Sequence, residues 1–130
     1  ISFEQIVKIT GLETATLLKD ASLNLYLQGA KKLEQEGIIL ADTKFEFGFL
    51  DDKIILIDEV LTPDSSRFWP QELYQEGESP FSYDKQFIRD YCLSIGWEGD
   101  TPAPPLPEEI IEKTLEKYQE ILKRIKNICS

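Results

Sequence analysis

The chain has 130 residues, of which 42% are hydrophobic, and a formal net charge of −10. This length and composition suit a single domain with one hydrophobic core. The negative charge argues against a nucleic-acid-binding surface, because such surfaces need clustered lysine and arginine to neutralise phosphates. A phosphorylated ligand would therefore need a metal ion or local positive charge, for which the candidates are Lys44, Arg67, Lys85 and Arg89.

The sequence carries no signal for a membrane or for an oxidising compartment. No apolar run approaches 18 residues, and no signal-peptide pattern occurs. The two cysteines, Cys92 and Cys129, form neither a metal-binding spacing nor a disulfide framework. We therefore expect a cytoplasmic protein without a membrane partner. The chain begins with isoleucine and contains no methionine, so we also expect it to be part of a longer protein.

Two helices are predicted before residue 38. Ser2 and Gln5 have the spacing of a capping box at the start of a short first helix, and Thr10 and Glu13 have the same spacing at the start of a longer one. Apolar residues recur every three or four positions in the longer helix, which predicts that one face packs on the core. Gly37 suits the left-handed position that follows a helix.

A β-hairpin is predicted over residues 40–58. Residues 40–48 alternate polar and apolar side chains, as in a strand with one packed face. The turn at 49–52 would return the chain into residues 53–57, a run of apolar β-formers that we expect to be buried. A hairpin flanked by helices predicts an α+β fold, in which the hairpin continues a sheet begun outside this chain.

Charged side chains gather at the open end of this hairpin. With the turn centred near residue 51, Lys44 would lie opposite Asp58, and Glu46 would lie one step away on the same face. Two carboxylates beside a lysine suit Mg²⁺ that carries nucleotide phosphates, because Mg²⁺ usually takes one or two carboxylates and completes its shell with water and phosphate oxygens. From the residues alone, such a strand edge is more often simply solvated.

A polar loop follows the hairpin. Residues 62–66, Thr-Pro-Asp-Ser-Ser, have the composition of a turn, since proline fixes φ and Asp and Ser bond to the nearby backbone. Arg67 comes next, and its planar guanidinium can hold a phosphate or carboxylate with two parallel hydrogen bonds. By themselves these residues indicate only that a pair of carboxylates, Asp58 and Glu59, lies near an arginine in the sequence.

Two more helices are predicted after this loop. The first begins at Ser82 or Asp84 as its N-cap, with Lys85 beside it, and its N-terminus is either an anion-binding site or a simple capped end. Residues 98–107 are rich in proline and must be extended. Residues 108–128 form an amphipathic helix whose apolar residues recur at alternating steps of four and three, and we expect this stripe to pack on the domain.

Several of these stretches closely resemble one family. They are Leu40 to Gly48, Asp58 to Pro70, Ser82 to Asp90, Gly96-Trp97 and Pro102 to Pro107. The family is that of the phosphoribosylaminoimidazole-succinocarboxamide (SAICAR) synthases of purine biosynthesis. The resemblance covers nearly the whole chain and implies the large lobe of their kinase-like α+β fold. The family's small amino-terminal lobe, with its glycine-rich nucleotide loop, has no counterpart here. The resemblance therefore implies a single domain over residues 1–130, the carboxyl-terminal part of such an enzyme.

The resemblance also implies a reaction and a nucleotide site. The enzymes are ATP-dependent ligases that join L-aspartate to carboxyaminoimidazole ribonucleotide and release SAICAR, ADP and phosphate. Glu46 and Asp58 match the positions that hold the magnesium of ATP. Lys44 matches a residue near the phosphates and the reacting carboxylate. Lys44 and Asp58 are therefore the catalytic candidates, and Lys44, Glu46 and Asp58 are the candidates for binding the nucleotide.

The remaining implied contacts concern the ribonucleotide. Asp64, Ser66 and Arg67 match the loop that contacts it, and Asp84 and Lys85 are second contacts. The implied partners are ATP, the ribonucleotide, L-aspartate and the missing amino-terminal half, and a homo-oligomer is left open. Two alternatives also stay open: a ligand-binding fragment that cannot turn over, and another kinase-like ATP-dependent phosphotransferase.

Overall fold

The computed structural model describes residues 1–78, 80–83, 85–99 and 102–128. The elements in chain order are α1 (Phe3–Thr10), α2 (Leu12–Glu34), β1 (Ile38–Thr43), β2 (Glu46–Leu50), β3 (Lys53–Ile57), β4 (Ser66–Pro70), a 3₁₀ turn (Gln71–Leu73), α3 (Gln86–Ser94) and α4 (Glu108–Ile128). Strand β1 pairs with β4 and β2 with β3, both antiparallel. The predicted α+β class, with an antiparallel hairpin flanked by helices, is confirmed. None of the described helices has the length and apolar character of a membrane span.

The first predicted helix start is confirmed and the second is wrong. Gln5 donates its N–H to the Ser2 hydroxyl, and the Gln5 side chain accepts from the Ser2 N–H, which completes the capping box. Thr10 does not cap α2, because it is the last residue of α1 and its hydroxyl donates to the carbonyl of Ile6. The two helices are separated by Gly11, whose φ of 84° is incompatible with a continuous helix.

The core lies between α2, the β1–β4 sheet and α4. Its buried cluster consists of Leu33, Ile38, Leu40, Phe68, Tyr83 and Ile121. The face of α2 that was predicted to pack supplies Leu33 to this cluster. Gly37 has the predicted left-handed conformation, with φ of 68°, and bonds to the carbonyl of Glu34. The carbonyl of Gly37 also accepts the N–H of Gln71, which joins the end of α2 to the end of β4.

The predicted continuous strand over residues 40–48 is wrong. It divides around Lys44 into β1 and β2, and β1 pairs with β4 instead of continuing along β3. In the β2–β3 hairpin Glu46 lies opposite Ile57, whereas the predicted register pairs Glu46 with Leu56. The difference of one residue arises at the turn. Asp51 and Asp52 both have positive φ, 48° and 59°, so the turn has two residues and is centred between them.

The prediction that β3 is buried is also wrong for the part of the chain that the structure describes. Ile55, Leu56 and Ile57 are 38%, 36% and 40% exposed. Strands β2 and β3 form a separate two-stranded sheet, and a sheet of that size needs packing from other elements to bury its faces. The apolar composition of β3 indicates that burial of its side chains would be favourable, but it does not indicate which element packs against them.

The prediction that Ser82 caps α3 is wrong. Ser82 is buried, and its hydroxyl donates to the carbonyl of Phe68 at 3.4 Å. The N–H of Tyr83 donates to the same carbonyl at 2.9 Å, so this segment runs beside β4 before α3 begins. Lys85 occupies the N-cap position and makes no capping hydrogen bond with its side chain. Asp84, the other predicted cap, lies outside the described residues, as does Cys129.

Helix α4 has the predicted bounds, but its predicted apolar stripe is only partly packed. Ile111, Leu115 and Leu122 are each about half exposed, whereas the buried residues are Thr114 and Ile121. The face that meets the core is therefore rotated by one position from the predicted stripe. Periodicity predicted that α4 has an apolar face, but it did not predict which residues of that face are buried.

A polar cluster accompanies this rotation of α4. The Tyr83 hydroxyl donates to Glu120 at 2.7 Å, and Arg124 donates to Glu120 at 3.2 Å and to Glu72 at 2.6 Å. The guanidinium of Arg124 also lies over the ring of Tyr83. Burial, together with the hydrogen bond to Glu120, holds the pKa of Tyr83 well above its usual range, so the hydroxyl keeps its proton. The cluster ties α4 to the segment between β4 and α3.

Truncation of Phe68 should destabilise the fold strongly. Its side chain is 0% exposed, so Phe68→Ala removes buried apolar contacts and leaves a cavity. We expect the free energy of unfolding of the chain, measured by urea denaturation, to fall by about 3–5 kcal/mol. Phe49→Ala is the matched control, because Phe49 is 62% exposed on the hairpin. It should cost less than about 1 kcal/mol, and equal losses would contradict this placement of the core.

Candidate active site

The three charged residues predicted at the hairpin lie together. Lys44 lies between β1 and β2, Glu46 begins β2 and Asp58 follows β3. The Nζ of Lys44 is 2.6 Å from Oε1 of Glu46 and 3.6 Å from Oδ2 of Asp58. This contact exists although the hairpin register differs from the predicted one, because Asp58 has left the ladder with a φ of 63°. The backbone turns at Asp58, so the position of the Asp58 side chain is not fixed by the pairing of β2 with β3.

Electrostatics in this group favour a permanently charged lysine. The hydrogen bond that Lys44 donates to Glu46 raises the pKa of Lys44, and the negative charge of Asp58 adds to the effect. All three side chains are about half exposed, so solvent screens their mutual attraction. The group therefore adds little to stability and remains accessible to a ligand.

Glu46 and Asp58 form a small donor set for a metal ion. Within residues 1–78, 80–83, 85–99 and 102–128, no three or more Asp, Glu, His or Cys side chains are arranged to hold a metal. Two carboxylates do not enclose a cation, but they fit Mg²⁺, which fills most of its six positions with water and phosphate oxygens. The residues present therefore fit a magnesium ion that arrives with a nucleotide.

A polar cavity of about 310 Å³ lies beside the loop that follows β3. It is lined by Asp42, Pro63, Asp64, Ser65, Ser66, Arg67 and Arg89. The predicted substrate residues Asp64, Ser66 and Arg67 thus meet at one cavity. Lys85 contacts Asp64, with 3.5 Å between Nζ and Oδ1. Asp84, the remaining predicted contact, lies outside the described residues.

Arg67 is held by a partner that the sequence did not indicate. Asp42 lies opposite Arg67 in the β1–β4 ladder. The Nε of Arg67 donates to both carboxylate oxygens of Asp42, at 3.0 and 2.9 Å, and Nη2 donates to Oδ2 as well. These hydrogen bonds lower the pKa of Asp42. The pair fixes the plane of the guanidinium at the wall of the cavity.

Arg89 is the second cation of this cavity. Sequence reasoning counted it among cations available to a phosphate but did not place it in the site. A helical signal was present, because Arg89 follows Lys85 by four residues, one turn further on the same face of a predicted helix. The alternation of residues 40–48 predicted the face of the strand on which Asp42 lies, but no local signal indicated a partner in β4.

The backbone joins the lysine group to the cavity. The N–H of Lys44 donates to the carbonyl of Ser65 at 3.0 Å. Thr43 and Ser66 share a hydrogen bond between their hydroxyls, at 2.8 Å. The carbonyl of Thr62 accepts the N–H groups of Ser65 and Ser66, at 3.1 and 2.9 Å. A carboxylate pair with a lysine and an arginine-lined cavity therefore lie on adjacent parts of the fold, joined by these hydrogen bonds.

Comparison with known proteins relates this arrangement to one family. The family model for SAICAR synthetase matches residues 1–104. The chain is 56% identical over 123 residues to the phosphoribosylaminoimidazole-succinocarboxamide synthase of Thermodesulfovibrio yellowstonii, a match that covers 95% of this chain and 42% of that protein.

Solved structures give the same relationship. SAICAR synthase from Saccharomyces cerevisiae, in complex with SAICAR, superposes with a TM-score of 0.86 at 40% identity, covering 95% of this chain and 42% of that one. A Type-2 SAICAR synthetase in complex with ADP gives a TM-score of 0.69 at 27% identity, covering 98% and 44%. The chain thus spans less than half the length of these relatives. By sequence and by fold, the chain belongs to the SAICAR synthetase family.

Proposed function

We propose that this chain, as a single domain, forms the carboxyl-terminal part of an ATP-dependent carbon–nitrogen ligase. The ligase joins L-aspartate to carboxyaminoimidazole ribonucleotide and releases SAICAR, ADP and phosphate in de novo purine biosynthesis. One observation carries the proposal: the Lys44 group and the arginine-lined cavity are joined by the hydrogen bond from Lys44 to Ser65. The relatives solved with SAICAR and with ADP support it.

The nucleotide belongs at the Lys44 group. Glu46 and Asp58 would hold the Mg²⁺ that accompanies ATP, and this ion supplies positive charge to the phosphate oxygens. Lys44 keeps its proton because Glu46 raises its pKa. Its ammonium donates to phosphoryl oxygens as negative charge develops on them. Lys44 and Asp58 are the residues to which we assign the largest part of this chain's catalytic effect.

The ribonucleotide belongs at the polar cavity. The guanidinium of Arg67, oriented by Asp42, binds the phosphate or the carboxylate of the ligand with parallel hydrogen bonds. Arg89 adds a second positive charge at the same wall. Asp64 and Ser66 provide an acceptor and a hydroxyl for the polar groups of the ligand.

The two second contacts on this side are also part of the proposal. Lys85 contributes through its ion pair with Asp64. Asp84 stays a predicted contact. Both precede α3, which carries Arg89 toward the cavity. We expect their substitution to affect the ribonucleotide more than ATP.

The proposed chemistry follows from the weakness of a carboxylate as an electrophile. Transfer of the γ-phosphoryl group from ATP to the ribonucleotide carboxylate gives an acyl phosphate and ADP. The amine of aspartate then attacks the acyl carbon, the amide bond forms and phosphate leaves. In this proposal the Lys44 group binds the phosphoryl donor, ATP, and Arg67 binds the acceptor, the ribonucleotide. The hydrogen bond between Lys44 and Ser65 keeps these two binding sites at a fixed separation.

The remainder of the site is proposed to come from the amino-terminal half of the enzyme. The relatives continue beyond the part that this chain covers. The chain alone should therefore bind ligand weakly and should not turn over. A cytoplasmic location and a homo-oligomer stay predictions.

Dependence of ADP release on L-aspartate tests this proposal. In the full-length enzyme, ADP release should require the ribonucleotide, L-aspartate and Mg²⁺, and EDTA should stop it. The control omits only L-aspartate, and the isolated 130-residue chain, assayed in parallel, should release no ADP. Aspartate-independent ADP release would instead favour a kinase-like phosphotransferase, and absence of any ADP release from the full-length protein would contradict the ligase proposal.

A further inference from the structure

The loop between β3 and β4 is held in a conformation that its residues do not favour. Asp58 and Leu61 both have left-handed backbones, with φ of 63° and 54°. Non-glycine residues persist in this region only where surrounding contacts hold them. Hydrogen bonds within the loop, from the Thr62 hydroxyl to Glu59 and from Ser65 and Ser66 to the Thr62 carbonyl, fix its local shape. Its placement on the domain requires contacts from other elements.

Helix α4 supplies such contacts. An apolar groove of about 400 Å³ separates the two elements. It is lined by Leu61, Thr62 and Pro63 of the loop and by Tyr118, Ile121, Leu122 and Ile125 of α4. Leu61 and Ile125 also pack against the buried cluster that contains Ile121. On its other side Leu61 meets Gly29 of α2 so closely that a Cβ there would lie 2.7 Å from a Leu61 methyl group.

One side chain of α4 reaches from this groove to the polar cavity. The Tyr118 hydroxyl donates to Oδ1 of Asp64 at 3.3 Å, and Nζ of Lys85 lies 3.5 Å from the same oxygen. Asp64 lines the polar cavity with Ser66 and Arg67, whereas Tyr118 is not among the described residues that line it. A carboxylate at the cavity is thus bound to a helix outside the cavity.

We propose that Tyr118 is a positioning residue of the ribonucleotide site and acts through Asp64. Its ring faces the loop at residues 61–63, and its hydroxyl directs one oxygen of the Asp64 carboxylate, which leaves the other oxygen to the ligand. The inference rests on the proposed function. It extends the site to α4, which lies beyond residues 1–104 that the family model matches.

Tyr118→Phe in the full-length enzyme tests this inference, because the change removes the hydroxyl and keeps the ring. We expect the KM for the ribonucleotide to rise about fivefold, which corresponds to the loss of one long, solvent-exposed hydrogen bond. The kcat should stay within about twofold, and the KM for ATP should not change, since the hydrogen bond from Tyr118 goes to Asp64, which lines the polar cavity. Partial unfolding lowers the apparent kcat and leaves KM unchanged, so a KM effect separates positioning from a merely structural role.

Two controls make the test specific. Tyr91→Phe removes the hydroxyl of another half-buried tyrosine, which donates to the carbonyl of Pro105 at 3.4 Å, and should leave the KM unchanged. In an Asp64→Ala background, Tyr118→Phe should add less than about 1.5-fold, because the partner is gone. An unchanged KM, an equal rise for Tyr91→Phe, or a full effect without Asp64 would overturn the inference. Wild-type enzyme without aspartate-dependent ADP release would contradict the proposed function instead.

Discussion

Asp58→Asn in the full-length enzyme should lower kcat on the order of a thousandfold or more while the fold stays intact. The change removes the negative charge that we assign to the magnesium ion and keeps the size of the side chain. Asparagine also tolerates the left-handed backbone at this position, where φ is 63°. Aspartate-dependent ADP release measures the loss, and circular dichroism checks the fold.

Asp52→Asn is the matched control for this prediction. Asp52 lies at the hairpin turn with a φ of 59°, so the backbone and the chemical change are the same as at Asp58. We expect its kcat to stay within about twofold of the wild-type value. Glu46→Gln, by contrast, should lose activity as Asp58→Asn does. Near-normal ligation by either Asp58→Asn or Glu46→Gln would contradict the assignment of the magnesium site.

Arg67→Lys should raise the KM for the ribonucleotide by about tenfold or more, with a smaller effect on kcat. Arg67 uses Nε and Nη2 to hold Asp42, and its guanidinium also lines the cavity. A lysine ammonium is a single point of charge, so it cannot hold Asp42 and grip the ligand with the same geometry. Steady-state kinetics with the ribonucleotide as the varied substrate measure the change.

Arg124→Lys is the control for Arg67→Lys. Arg124 pairs with Glu72 and Glu120 in the cluster that fixes α4, and it does not belong to the described lining of the polar cavity. Its substitution should lower the melting temperature and leave the KM for the ribonucleotide unchanged. An unchanged KM for Arg67→Lys would remove Arg67 from the proposed role.

Local patterns predicted much of this fold. The capping box of Ser2 and Gln5, the left-handed Gly37 and the bounds of α4 depend on residues that lie within a few positions of one another, and all are confirmed. The hairpin is also present, because its turn and its two strands are adjacent in sequence. The resemblance to SAICAR synthases is confirmed as well.

Several predictions that were wrong or missing concern contacts between distant segments. Asp42 pairs with Arg67, 25 residues away, and alternation within residues 40–48 contains no information about that strand partner. Ser82 has the chemistry of an N-cap, but the carbonyl of Phe68 competes for its hydroxyl. The same limit applies to α4, because its periodicity contains no information about distant contacts such as the hydrogen bond from Tyr83 to Glu120.

The candidate site contains groupings that were predicted from the sequence and a long-range contact that was not. The contact of Lys44 with Glu46 and Asp58 was predicted from a register that is wrong by one residue, and it forms because the backbone of Asp58 turns at the strand end. The grouping of Asp64, Ser66 and Arg67 follows from their closeness in sequence. The tie from Tyr118 to Asp64 spans 54 positions, and no local pattern predicts it.

The hydrogen bond from the N–H of Lys44 to the carbonyl of Ser65 has a consequence for motion. The bond connects the Lys44 group, which we propose binds ATP, to the loop at the polar cavity, which we propose binds the ribonucleotide. We therefore expect the main chain at Lys44 and at Ser65 to move together, because a hinge that opened between them would break this bond.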